Sequence, residues 1–173
     1  MTGQNAPAGL LADELGHMAD LQGKQLVKLP APRDTLVDCV WLPRIIAKAR
    51  FLRAGKLPPE YAARFCHPTG VDAQFLAFFQ ITPELILTAA TCSEQDVVAW
   101  FTWLSTVNPI RIAEWNHTAV NLGRPGFPLA ERFPVAKVTT YKHIDSAGME
   151  TVFELIEADE RASDFKWEIG DLK

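Results

Sequence analysis

Apolar residues recur at helical spacing through most of the chain after Asp34, whereas the strict alternation typical of half-buried strands is almost absent. Residues 43–54 are the clearest case, because at 100° per residue their apolar side chains fall on one face. Pro43 suits a first helical turn, and Gly55 supplies a stop. The apolar face consists of Leu42, Ile45, Ile46, Ala49 and Leu52. The segment predicts an amphipathic helix that packs against a core.

Capping residues mark further helix starts along the chain. The predicted N-caps are Asp72, Thr82, Ser93, Asn108 and Ser146. Residues 56–70 are rich in Pro and Gly and are predicted to form a loop. Residues 138–141 have a strand-like composition, but they are too few and too isolated to support a sheet. The prediction is an all-α fold, a small orthogonal or irregular bundle of about six or seven short helices.

The chain length of 173 residues suits one domain. Residues 1–33 mix Gly, Pro, Ala and Gln with only a weak apolar pattern, which predicts a loosely ordered N-terminal extension. Residues 34–173 are predicted to form a single helical domain.

Composition excludes several classes of protein. The net charge of −4 argues against nucleic-acid binding, and no apolar run approaches the roughly 20 residues of a membrane span. The three cysteines form no C-x-x-C pair, which favours reduced thiols in a cytoplasmic protein. The sequence contains no phosphate-binding glycine loop, dinucleotide fingerprint or paired zinc-ligand motif, so we predict neither a cofactor nor a metal.

Three segments stand out in chain order. They are Pro32-Arg33 with residues 41–50, Asp72 with Phe75-Leu-Ala-Phe78, and Ile112-Ala-Glu-Trp-Asn116. Together they resemble a bacterial family, the domain of unknown function numbered five thousand sixty-nine. The likeness covers roughly residues 30–160 and implies a helical, cytosolic bacterial protein, with no activity, cofactor or catalytic residue to transfer. This chain departs from the family pattern at Ala47, at Ala73 and in a longer loop before Gly70.

Two features of the polar residues suggest ligand binding, and each has a structural alternative. Arg44 and Lys48 lie one turn apart beside Phe51, which could hold an anion or form a solvated flank. Asn116 projects near the centre of an apolar helix face, so its amide should be hydrogen-bonded. Its partner is either a neighbouring backbone group or a ligand in a pocket.

Other candidate residues carry weaker signals. Glu114 and His117 form Glu-x-x-His, a spacing that also occurs at residues 14–17 and that could supply half of a di-iron site. Exposed pairs are the preferred interpretation. Cys66 beside His67 could be a nucleophile, but a plain thiol is favoured. Trp103 falls outside its helix's apolar arc and is expected to pack under a loop rather than to face a partner or stack on a ligand ring.

Two functional hypotheses follow. The first is a binding module for a partner protein or a small anionic ligand, and a homodimer is compatible with it. The second is an enzyme of unassigned chemistry. The sequence does not decide whether the protein is an enzyme. The residues that the first hypothesis would use are Arg44, Lys48, Trp103 and Asn116, and the pocket of the second would comprise Asp72, Glu114, Asn116 and His117.

Overall fold

The computed structural model describes residues 18–19, 25–163 and 167–169. Eight helices lie in this part of the chain, which confirms the predicted, mostly helical fold. No helix among these residues is long and apolar enough to cross a membrane. The helices are α1 (Leu42–Arg53), α2 (Pro59–Ala62), α3 (Val71–Phe79), α4 (Pro83–Ala89), α5 (Glu94–Trp103), α6 (Pro109–Val120), α7 (Phe133–Val138) and α8 (Val152–Ala162).

Five short strands accompany the helices within the described ranges. β1 (Met18–Ala19), β2 (Gln25–Val27) and β5 (Trp167–Ile169) form an antiparallel sheet in the order β1-β2-β5, with Leu26 opposite Met18 and Glu168. β3 (Thr35–Leu36) and β4 (Cys39–Val40) form a hairpin in which Leu36 pairs with Cys39.

The turn of the β3–β4 hairpin has an unusual backbone. Its two central residues, Val37 and Asp38, have φ angles of 54° and 58°. Positive φ at both positions is the geometry of the tight turns that match strand twist, but such turns normally contain Gly or Asn. A β-branched residue there is strained, so this turn must be held by contacts from outside it.

Residues 138–141 do not form a strand, as expected of a segment so short and isolated. Val138 ends helix α7, and the chain then turns, with Tyr141 N–H donating to the Ala136 carbonyl. β propensity is a weak signal without a neighbouring strand to pair with, and this segment has none among the described residues.

The core is built around helix α1 and a cluster of aromatic rings. Phe75 meets Trp115 edge to face at 5.3 Å between ring centroids, and Phe79 meets Phe101 in the same way at 5.3 Å. All four rings are almost fully buried. Aromatic pairs of this geometry stabilise a fold by about 0.5–1.5 kcal/mol beyond their area burial. The predicted apolar face of α1 packs here, and Leu42, Ile45, Ile46 and Ala49 are buried.

Three of the predicted helix starts are confirmed by their capping hydrogen bonds. The side chains of Thr82, Ser93 and Asn108 each accept a hydrogen bond from the backbone N–H three residues later. Pro83 and Pro109 occupy the first turns that follow.

Two predicted caps are wrong. Gly70 is the N-cap of α3, and Asp72 lies in the first turn with its carboxylate turned to buried partners. The final helix begins after Thr151 rather than Ser146, because Thr151 and Glu154 form a reciprocal capping box. The intervening Gly148 has φ 76°, which no helix accommodates.

Residues 56–70 are not wholly a loop, since Pro59 opens the short helix α2, as proline is able to do in a first turn. Residues 1–17 and 20–24 lie outside the described part of the chain. The extension over residues 1–33 and the single domain over residues 34–173 therefore stay predictions.

Candidate functional site

A buried ion pair joins helix α1 to helix α3. The ammonium nitrogen of Lys48 lies 2.6 Å and 2.5 Å from Oδ1 and Oδ2 of Asp72. Lys48 is 6% exposed and Asp72 is 1% exposed. The carboxylate also accepts hydrogen bonds from Trp41 Nε1 at 2.9 Å and from the backbone N–H of Cys66 at 3.1 Å. Asp72 is therefore fully engaged by one charge and two N–H donors.

Burial shifts the pKa values of Lys48 and of the nearby Cys66. Burial lowers the pKa of Lys48, and the charge and hydrogen bonds of Asp72 oppose that shift. Burial, followed by the charge of Asp72, raises the pKa of the Cys66 thiol to about 12. The thiolate, which is the nucleophilic form, is therefore scarce near neutral pH, so the geometry favours the plain-thiol interpretation of Cys66.

A second buried ion pair joins helix α1 to helix α8. Both terminal nitrogens of Arg44 contact the carboxylate of Glu160, and Nη1 also donates to the Pro30 carbonyl at 2.6 Å. The Tyr61 hydroxyl donates to Glu160 at 3.1 Å. Arg44 and Glu160 are almost fully buried. Burial raises the pKa of Tyr61, with a further contribution from the charge of Glu160, so the phenol remains a donor.

The ring of Trp41 lies between the two ion pairs. The guanidinium of Arg44 lies 5.3 Å from the ring centroid, and the Lys48 ammonium lies 5.1 Å from it. The ring also stacks on Phe153 of α8 at 5.5 Å. Two cations, their two acids, one indole and the half-buried Tyr61 phenol thus form a continuous network, which we call the α1 network. Its residues are Trp41, Arg44, Lys48, Tyr61, Asp72 and Glu160.

The structure brings three of the sequence-predicted site residues together. Arg44, Lys48 and Asp72 belong to the α1 network, so the alternative of a solvated flank for the two cations is wrong. Sequence reasoning missed the roles of Trp41 and Glu160, because a local pattern does not show which distant side chain will supply a buried charge.

Asn116 contacts the backbone next to this network. Its Oδ1 accepts from Val40 N–H at 3.0 Å, and its Nδ2 donates to the Asp38 carbonyl at 2.7 Å. Both partners of the Asn116 amide are thus backbone groups, which is the structural alternative to a ligand. They also hold the β3–β4 hairpin, whose turn has strained φ angles.

The remaining predicted site residues lie on the surface. Glu114 is paired with Arg111 at 3.1 Å, and the His117 ring lies 5.6 Å from the ring of Phe127. The residues that the structure describes contain no group of three or more His, Cys, Asp or Glu side chains that could hold a metal, and residues 14–17 lie outside them. The expectation that Trp103 packs under a loop is wrong, because the residue is 87% exposed.

A cleft of about 240 Å³ lies beside the second ion pair, where the chain that precedes β3 meets helix α8. Glu160 reaches the cleft from the α1 network, and Glu157 is paired with Arg33 at 3.0 Å. Lys28 and Arg161 have no ion-pair partner within the described ranges. The lining residues are Lys28, Ala31, Pro32, Glu157, Glu160 and Arg161. Sequence reasoning missed this cleft, since its cations come from two distant segments with no shared motif.

Comparison with known proteins extends the structural description. No curated protein matches the sequence. The profile of one family, described as "Domain of unknown function (DUF5069)", matches residues 27–162, which is most of the chain and includes every residue of the α1 network. By this match, the chain belongs to the DUF5069 family.

Proposed function

We propose that the chain is a binding protein for a small anionic ligand, which occupies the cleft between residues 28–32 and helix α8. The observation that carries this proposal is the charge balance of the cleft. Each carboxylate of the lining is already neutralised by an arginine, whereas Lys28 and Arg161 have no carboxylate partner among the described residues. A ligand carboxylate or phosphate would neutralise these two cations.

The size and surroundings of the cleft support a small ligand. Its volume of about 240 Å³ lies below the roughly 300–1,000 Å³ typical of sites for drug-sized molecules. Ala31 and Pro32 add an apolar wall. The Glu160 carboxylate at the cleft is held by Arg44 and Tyr61, so part of the site is rigid before a ligand binds.

Titration of the full chain with inorganic phosphate, acetate and succinate, followed by backbone NMR shifts, tests this proposal. We expect saturable shifts that centre on residues 28–33 and 157–161. Arg161→Gln should weaken binding about tenfold, since it removes a charged hydrogen-bond donor. Arg53→Gln is the matched control, because Arg53 is also an exposed cation in the last turn of a helix. The absence of saturable shifts with all three anions would overturn the proposal.

A second candidate function is the binding of a partner protein, and the exposure of Trp103 favours it. Trp103 ends helix α5, and Ile110, seven residues later in the sequence, is 73% exposed. Exposed tryptophan is enriched at protein interfaces. A second copy of the chain is one such partner. Analytical ultracentrifugation of the wild type and Trp103→Ser separates a dimer through this surface from a monomer.

The enzyme hypothesis has less support. Its pocket would need Asp72, Glu114, Asn116 and His117, but these side chains lie in different environments. Asp72 is buried and fully hydrogen-bonded, Asn116 holds the hairpin, and Glu114 and His117 are exposed.

The setting of the protein is also part of the proposal. Cys39, Cys66 and Cys92 are free thiols, which favours a reducing cytoplasm. The net charge of −4 favours a small ligand over nucleic acid.

A further inference from the structure

The two carboxylates that line the α8 cleft differ in how far they are engaged. Glu160 has both oxygens occupied, by Arg44 and by Tyr61. Glu157 accepts from Arg33 through Oε1 alone, and its Oε2 has no hydrogen-bond partner within the described ranges. A carboxylate has about four acceptor positions, so the Arg33 contact leaves Glu157 able to accept further donors. The cleft therefore contains one carboxylate oxygen without a hydrogen bond among the described residues, as well as two cations without a carboxylate partner there.

Glu157 and Arg161 lie four residues apart on helix α8, and both line the cleft. Residues at this spacing share a helix face, with about 5–6 Å between their Cβ atoms. The Arg161 Nε donates to the Glu157 carbonyl at 3.2 Å, which leaves the two terminal nitrogens of the guanidinium for a ligand. The terminal N–H donors of Arg161 and the Oε2 atom of Glu157 thus lie about one helical turn apart.

This arrangement suits a ligand that carries opposite charges on neighbouring atoms. A ligand carboxylate would accept from Arg161 and Lys28, and a ligand ammonium would donate to Glu157 Oε2. Ala31 and Pro32 would contact an apolar side chain. On the basis of the binding role proposed above, we infer that the ligand is a small α-amino acid, recognised through both its carboxylate and its ammonium group.

Three probes of nearly the same shape test this inference by NMR titration of the full chain. They are L-valine, isovalerate, which lacks the ammonium group, and isobutylamine, which lacks the carboxylate. We expect L-valine to bind at least tenfold more tightly than either analogue, because each analogue leaves one charged contact unmade.

Variants of Glu157 and of its ion-pair partner Arg33 test whether Glu157 contacts the ligand ammonium group. Glu157→Gln should weaken L-valine binding about tenfold and leave isovalerate binding no weaker. Arg33→Gln is the matched control, because it breaks the same exposed ion pair but keeps the Glu157 carboxylate, so the preference for L-valine should persist. Loss of that preference in Arg33→Gln would overturn the assignment to Glu157.

The outcomes separate this inference from the proposed function. If isovalerate binds as tightly as L-valine, the ammonium contact is refuted and the anionic-ligand site stands. If neither binds while phosphate or succinate does, the amino-acid class is refuted and the site again stands. If none of these anions binds, both proposals fail.

Discussion

Lys48 and Asp72 form a buried ion pair, in which the lysine ammonium lies 2.6 Å from Oδ1 and 2.5 Å from Oδ2 of the carboxylate. Asp72→Asn would leave the buried Lys48 charge without its partner. Loss of one member of a buried ion pair typically costs about 3–5 kcal/mol of unfolding free energy, and we expect a loss of that size in urea denaturation.

Variants of Lys48 show whether this loss of stability comes from the Lys48–Asp72 ion pair. Lys48→Met should cost a similar amount, and the double variant should be more stable than the sum of the two losses implies. Glu114→Gln breaks an exposed pair and should change stability by less than about 1 kcal/mol. Single variants of Lys48 and Asp72 that unfold like the wild type would refute this role.

Asn116→Ala should destabilise the fold, because it removes both hydrogen bonds that hold the β3–β4 hairpin. The bond from Val40 N–H is partly buried, so its loss should cost about 1–3 kcal/mol, whereas the bond to the Asp38 carbonyl is exposed and contributes less. His117→Ala, on the exposed side of the same helix, should change the unfolding free energy by less than about 0.5 kcal/mol. Unchanged stability of Asn116→Ala with a loss of ligand binding would instead support a pocket at Asn116.

Gly123→Ala should destabilise more than Gly55→Ala, although both glycines have positive φ angles of 95° and 65°. A Cβ at Gly123 would lie 2.8 Å from the Phe133 ring, whereas a Cβ at Gly55 meets nothing within 4 Å. Both variants carry backbone strain of about 1–2 kcal/mol, and Gly123→Ala adds a clash in the core. Thermal unfolding of the two variants gives the comparison, and equal melting temperatures would show that Phe133 moves aside freely.

The Glu154 capping box should make helix α8 sensitive to acid. Hydrogen bonds from the backbone of Glu150 and Thr151 lower the pKa of Glu154, so its ionised form stabilises the folded state. That contribution is complete above the model-peptide pKa of 4.5 and is lost as the pH falls through the lower folded value. Glu154→Gln should therefore cost about 0.3–1 kcal/mol at pH 7 and nothing once the wild-type carboxyl is protonated.

Thr151→Ala is the pH-independent control for this effect. The Thr151 hydroxyl accepts from Glu154 N–H and does not titrate, so its removal should cost about 1 kcal/mol at both neutral and acidic pH. Urea denaturation at several pH values measures both variants. A constant deficit for Glu154→Gln down to the most acid pH would contradict the assignment.

Trp103 should contribute to the quenchable fluorescence of the protein. It is 87% exposed, whereas Trp41 and Trp115 are almost fully buried. Trp103→Phe should lower the fraction of the emission that acrylamide quenches and leave the unfolding free energy within about 0.5 kcal/mol of the wild type. Wild-type emission that resists acrylamide at micromolar protein concentration, but not on dilution, would show that a second copy covers Trp103.

Local signals accounted for much of the helical fold. The sequence predicted the apolar face of α1 and three of the helix caps, because each depends on residues within one or two turns. The caps are Thr82, Ser93 and Asn108. Thr151 and Glu154 carried an equally local signal, a capping box before an apolar run, which the preference for Ser146 overlooked. The two-residue hairpin was not predictable, because Val37 and Asp38 adopt their turn only under restraint from Asn116.

The candidate site was only partly predictable. Arg44 and Lys48 were recognised as a pair of cations, but their counter-charges lie 116 and 24 residues away, at Glu160 and Asp72. A sequence pattern around α1 cannot distinguish a solvated cation from one that a distant acid neutralises. The cleft also depends on residues far apart in sequence, since Lys28 and Arg161 come from opposite ends of the region that matches the family.

The distance in sequence between Arg44 and Glu160 has a consequence for synthesis on the ribosome. A nascent chain that has produced α1 has not yet produced the acid that neutralises its guanidinium, and 116 residues separate the two. At ~5–20 residues per second, roughly 6–23 s pass before that acid is made. Until then Arg44 must stay hydrated, so α1 cannot settle into its final position. The final position of α1 is therefore reached only after α8 has been translated, although α1 is made much earlier.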